Sequence, residues 1–138
     1  MPDPTWTTLT LKTNKIPAKP DAVWTLVYEY IKGPVKLKIE AKGSWEYSQT
    51  KACGPDGSRE AGIVSDALNS SAPLGTLIFK VGGSPAEKPA SSFVAGSYTV
   101  VALDEKAEGG LFFTMNDQIG HFAEHDKEIE ITVQQARS

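Results

Sequence analysis

Val35, Leu37, Ile39 and Ala41 alternate with Lys36, Lys38, Glu40 and Lys42. A period of two predicts a β-strand with one buried and one solvated face. The rhythm returns at 128–134, where Ile129, Ile131 and Val133 are interleaved with Glu130 and Thr132. Shorter runs rich in β-branched and aromatic residues predict further strands at 6–12, 23–30, 74–81 and 111–115. In the first of these Leu9 and Leu11 share a face, which suits an edge strand, and in 74–81 Leu77, Phe79 and Val81 share one. The run 97–103 is apolar on both faces and reads as a central strand. Proline, glycine and charge mark 14–21, 84–92 and 104–110 as loops, and a long loop follows Gly43. No amphipathic helix is predicted, and 61–68 holds one turn at most. Seven or eight short strands joined by polar turns predict an all-β fold, an antiparallel β-sandwich, as a single domain over 1–138.

Composition narrows the function classes. The net charge of -3 and the absence of a Lys/Arg run offer nucleic acid no basic surface. No apolar run approaches the ~20 residues of a membrane span. Cys53 is the only cysteine, so it forms no intramolecular disulfide, and it reads as an ordinary small side chain. The N-terminus has neither a basic nor an apolar signal-peptide region, so the expectation is a cytoplasmic protein or one exported without a signal peptide.

Candidate chemistry concentrates at 116–125, Asn-Asp-Gln-Ile-Gly-His-Phe-Ala-Glu-His, between two predicted strands. Asp117, Glu124 and both histidines of the chain, His121 and His125, fall within it. Oxygen and nitrogen donors on one inter-strand loop suit a metal or sugar site, and equally a solvated connection. His121-Phe122-Ala123-Glu124-His125 also spells His-x-x-Glu-His, an inverted zinc-peptidase motif when it lies on a helix. Gly120 before it and a strand four residues after it leave no room for that helix. No Ser–His–Asp arrangement exists outside this loop, so the chain is read as non-enzymatic.

Three segments in order resemble one family. They are Tyr47 followed by Gly54-Pro55-Asp56-Gly57-Ser58-Arg59, the strand Leu74-Gly75-Thr76-Leu77-Ile78-Phe79-Lys80-Val81-Gly82, and Asn116-Asp117-Gln118-Ile119-Gly120. Together they are similar to the PA-IL-like bacterial lectins, calcium-dependent galactose binders. The resemblance spans 35–134 and makes 1–34 an N-terminal extension. It implies a jelly-roll sandwich of galactose-binding-domain-like type, with carbohydrate as partner. It also implies a calcium site on the carbonyls of Tyr47 and His121, the Asp117 carboxylate, and the side chains at Glu124 and His125.

The last two positions depart from the family's paired asparagines. Glu124 keeps an oxygen ligand and adds charge, whereas imidazole at His125 is a poor ligand for a hard cation. Calcium is therefore expected to bind weakly or not at all. The family's sugar-contacting His and Gln after the Gly-Pro turn have no counterpart in Arg59-Glu60-Ala61-Gly62. Sugar contacts are expected from Asp117, His121 and Trp45, the last standing two residues from Tyr47 at a strand end. The alternative is a structural or protein-interaction sandwich that has lost both sugar and calcium. The sequence leaves the oligomeric state, homo-oligomer included, open.

Overall fold

The computed structural model of the protein describes residues 5–19, 23–48, 51–84, 92–117 and 126–137. Among the described residues there are ten strands and no helix: β1 Thr7–Thr8, β2 Lys15–Pro17, β3 Thr25–Lys32, β4 Val35–Ser48, β5 Lys51–Cys53, β6 Leu77–Val81, β7 Phe93–Val94, β8 Tyr98–Leu103, β9 Glu108–Met115 and β10 Asp126–Arg137. All pair antiparallel in two sheets, one of six strands and one of four. The all-β sandwich read from the alternating patterns is the observed architecture.

β4 is the spine of the larger sheet. One side of it pairs with β10 from Val35↔Arg137 to Glu46↔Asp126. The other side is shared, β8 taking 35–40 and β5 taking 45–48. β10 carries β2 and β1 on its far side. The smaller sheet runs β3-β9-β6-β7.

The two period-two strands face the core as their patterns require. Leu37 and Ile39 of β4 and Ile129 and Val133 of β10 are fully buried in one cluster with Leu77, Phe79, Leu111, Phe113 and Met115 from the opposite sheet. Each such side chain contributes roughly 1.5–3 kcal/mol by leaving water. Phe79 packs on Phe113 with ring centres 5.5 Å apart and stacks on Phe93 at 5.0 Å.

A smaller cluster of Trp24, Leu68, Ile78 and Phe112 covers the outer face of the smaller sheet. Lys80 is held there, 3% exposed. Its ammonium lies 5.1 Å from the Trp24 ring centre and 5.0 Å from that of Phe112, and it donates to the Ser84 carbonyl at 2.6 Å. Cation–π attraction and a hydrogen bond offset the loss of water around the charge.

Three expectations are corrected by the pairing. The run 97–103 is an edge strand, paired among the described residues with β4 alone, with Tyr98 59% and Val100 47% exposed. Its lack of charge suggested burial on both faces, but only Thr99, Val101 and Leu103 turn inward. Within the expected loop 14–21, Lys15–Pro17 forms β2, because Ile16 is drawn fully into the core beside Ile129. The strand expected to stop at Gly43 continues to Ser48, since β10 supplies a ladder partner as far as Glu46.

Candidate functional site

The end of the sandwich where β4 finishes and β9 runs out is built on three residues in contact. Trp45 is fully buried, and its indole N–H donates to the Gly75 carbonyl at 2.8 Å. The Gly75 N–H in turn donates to the Asn116 carbonyl at 2.9 Å. Gly75 has φ +89°, and a Cβ there would lie 2.4 Å from the Cys53 sulfur. Only glycine fits both that backbone and that contact.

Asn116 closes the floor. It is 0% exposed, and its Oδ1 accepts the Asn69 N–H at 2.8 Å. Its Nδ2 donates to the carbonyls of Asn69 at 2.8 Å and Ala72 at 3.0 Å. One amide thus satisfies a turn of the 62–76 segment, whose ladder contacts are the isolated bridges Ile63↔Pro73 and Asp56↔Thr76. Asn69 is itself 8% exposed, donates to Ser92 Oγ at 3.1 Å and accepts the Ser71 N–H at 2.9 Å, so it holds a structural turn.

The Gly54–Ser58 turn is latched beside this floor. Leu77 N–H donates to the Pro55 carbonyl at 2.8 Å and Ser58 N–H to the Leu74 carbonyl at 2.9 Å. Asp56 accepts the Ser97 N–H at 2.7 Å and the Ser97 hydroxyl at 3.0 Å, tying the turn to the start of β8. Ser58 shares a hydrogen bond with the Tyr47 hydroxyl at 2.9 Å and accepts the Ala61 N–H at 3.1 Å. Farther out, Lys51 and Glu60 pair at 2.8 Å, which holds the carboxyl below its ordinary range and the ammonium above its own.

These contacts decide where the residues singled out in the sequence stand. Asp117 follows Asn116 directly, is 4% exposed, and its carbonyl accepts the Leu68 N–H at 2.9 Å. Tyr47 is half-buried and continues β4 past the Glu46↔Asp126 and Trp45↔Lys127 pairs, where the chain returns from the 117–126 connection. Tyr47 and both ends of that connection therefore lie at one end of the sandwich, although some 70 positions separate them. Lys127 has φ +70°, a left-handed conformation seldom taken by a side-chain-bearing residue. His121, Glu124 and His125 lie outside the described residues.

Trp45 is the correction. Its ring is in the core and its N–H is spent on Gly75, so it offers a sugar no surface; it belongs to the core cluster against which Tyr47 packs. Asn116, Gly75 and the Asp56–Ser97 latch are the residues that sequence reading missed. Asn116 and Asp56 stood inside the quoted motifs, and an Asn at the exit of an apolar strand was the available signal.

Two donors at this end suit a hard cation, the Tyr47 carbonyl and the Asp117 carboxylate. Among the described residues no group of three His, Cys, Asp or Glu side chains is assembled. Cys53 is half-buried against the Gly75 carbonyl, 3.7 Å away, and burial pushes its thiol up to about 11 from 9.0. At pH 8 its alkylation by iodoacetamide is expected to run about a hundredfold slower than that of an unperturbed thiol, because the thiolate reacts. Labelling at the rate of a free cysteine would refute the burial.

No protein-family model matches the chain. A search of the curated proteins finds no match either. Among solved structures the chain is similar to the EclA N-terminal domain, a PllA-like lectin, with a TM-score of 0.62 at 18% identity. The alignment covers 95% of this chain and 98% of that one. At this identity the likeness establishes a shared sandwich fold.

Proposed function

We propose that the chain is a non-enzymatic carbohydrate-binding module whose site lies at the β4–β9 end of the sandwich. The observation that carries this reading is the Trp45–Gly75–Asn116 relay, which brings Tyr47 and Asp117 to one end on a buried, hydrogen-bonded floor. A rigid platform beneath polar groups suits sugar hydroxyls, which need oriented donors and acceptors rather than a deep apolar cavity. The lectin fold of the structural neighbour supports the same class of ligand. Asp117 is the principal acceptor for sugar hydroxyls, and His121, four positions on in the sequence, is the second contact.

Calcium assists this site weakly or not at all. The Tyr47 and His121 carbonyls with the Asp117 and Glu124 carboxylates are hard oxygen donors, fewer than the six to eight that calcium prefers. An imidazole at His125 offers nitrogen where the family has an amide oxygen. The floor orders Tyr47 and Asp117, and Asp117 accepts hydroxyl hydrogens.

A glycan array followed by calorimetry with the sugars it selects, galactose included, tests the reading. Asp117→Ala is expected to remove measurable sugar binding and any calcium binding. His125→Asn is expected to tighten calcium by about tenfold, since an oxygen ligand replaces nitrogen. An array without any bound glycan, together with calcium binding unchanged in both variants, would hand the case to a structural or protein-interaction module.

A further inference from the structure

The outer face of the larger sheet carries a groove separate from the strand-end site. β8 pairs with β4 over 35–40 and β5 takes over only at 45, so among the described residues no strand pairs with 42–44 on that side. Beside this step lies a cavity of about 340 Å³, at the lower end of the ~300–1,000 Å³ of small-ligand sites. Glu40, Lys42, Ser97, Tyr98, Glu130 and Thr132 form its walls.

Register fixes how these side chains stand. Glu40 is opposite Tyr98 on one side and Thr132 on the other, so an aromatic ring, a carboxylate and a hydroxyl form one row across three strands. Lys42, two residues along on the same face, is opposite Glu130 and pairs with it at 3.1 Å. Lys38, two residues the other way, holds its ammonium 4.6 Å from the Trp6 ring centre. Among the described residues Glu40 itself enters no ion pair. Tyr98 is 59% exposed, and the start of its strand is held by Ser97, whose N–H and hydroxyl both donate to Asp56.

We propose that this groove is a second binding site, and that its ligand is a neutral pyranose. The carbon–hydrogen face of the sugar lies on the Tyr98 ring, which offers an apolar surface to water. Its hydroxyls reach Glu40, Lys42 and Thr132 along and beside the same row. The mixture of groups selects this ligand class. An anion would meet two carboxylates, Glu40 and Glu130, with the nearest ammonium already paired. A cation would gain from Glu40 and lose to Lys42 in the same wall. A hydroxyl both donates and accepts, so a neutral polyol uses the carboxylate, the ammonium and the threonine together.

One consequence rests on the function proposed above, whereas the groove itself does not. Glu40 and Tyr47 stand seven residues apart on β4, which separates the two sites by about 23 Å. A single chain would then hold one glycan at two points, gaining avidity only where the glycan spans that distance.

Amide chemical-shift mapping on the 138-residue chain tests the groove, with methyl β-glucoside, methyl β-galactoside and methyl α-mannoside as probes. At least one is expected to shift the amides of Glu40, Tyr98 and Thr132, with a dissociation constant on the order of 10 mM for so small a ligand. Tyr98→Ala should weaken this about tenfold, whereas Tyr98→Phe should keep it, because the ring face carries the contact. Glu40→Gln should weaken it about fivefold, since the charge strengthens the hydrogen bonds it accepts. All three changes lie on the solvent face, so thermal melts should stay close to the parent. Asp117→Ala, which disables the strand-end site, should leave the shifts in the groove unchanged. Tetramethylammonium and methyl glucuronide should each bind there about tenfold more weakly than the best glycoside. Shifts in the groove alone would uphold it while the strand-end reading failed. Shifts confined to Tyr47, Asn116 and Asp117 would overturn the groove and leave that reading intact. No groove shift with any of the three glycosides, shifts that survive Tyr98→Ala, or tighter binding of either ion would also overturn it.

Discussion

Asn116→Ala is expected to lower the melting temperature by about 10 °C or more. The side chain is fully buried and serves the Asn69 N–H and the carbonyls of Asn69 and Ala72. Alanine leaves all three without partners in a site closed to water. Each orphaned buried group costs roughly 1–3 kcal/mol, and about 3–4 kcal/mol in all converts to a shift of that size for a chain of this length. Asn116→Asp provides the control: it keeps the acceptor for Asn69, loses both donors and buries a charge, so it should be at least as damaging. Differential scanning calorimetry reads both, and a shift below ~3 °C would mean that the 62–76 segment is held by something else.

Trp45→Ala should cost about 3–5 kcal/mol, the range for emptying a buried aromatic site. Trp45→Phe separates packing from hydrogen bonding, since it keeps most of the ring volume and removes the N–H to Gly75. About 1–2 kcal/mol is expected for the phenylalanine variant. Urea titration measures both values. Sugar affinity should fall in the alanine variant through displaced loops, while the phenylalanine variant keeps most of it. If Trp45→Phe stayed as stable as the parent but lost all sugar binding, the ring would have to contact ligand, contrary to its burial.

The strand pattern carried most of the fold, and the reason is physical. Val35 to Lys42 and Ile129 to Val133 each separate a wet from a dry face, and a single-residue slip would bury lysine, so pattern and register are one constraint. The run 97–103 failed by the same logic. Without charge on either face it gave no phase, and whether a further strand lies beside it depends on partners far away in the chain. Asp117 and Tyr47 could be singled out because they sit in short motifs. Trp45 was placed wrongly because residues two apart in a strand share a face, and the face it shares with Tyr47 is the one packed on the core. Asn116 supports the floor through bonds to residues more than forty positions away, and no local window contains that information.

β4 also sets the order of events during synthesis. Its chief partner, β10, follows every other strand of the described residues, roughly eighty residues after β4 is complete. At about 5–20 residues per second, β4 waits on the order of ten seconds before the edge meant for β10 is claimed. A strand of this length with an open, apolar-faced edge is an invitation to pair with a neighbouring nascent chain on the same message. Lys36, Lys38 and Lys42 then act as gatekeepers in time as well as solvators in space, because stacking two copies of β4 side by side would align their ammonium groups. Neutralising those three lysines should leave the finished fold nearly as stable while lowering the soluble yield.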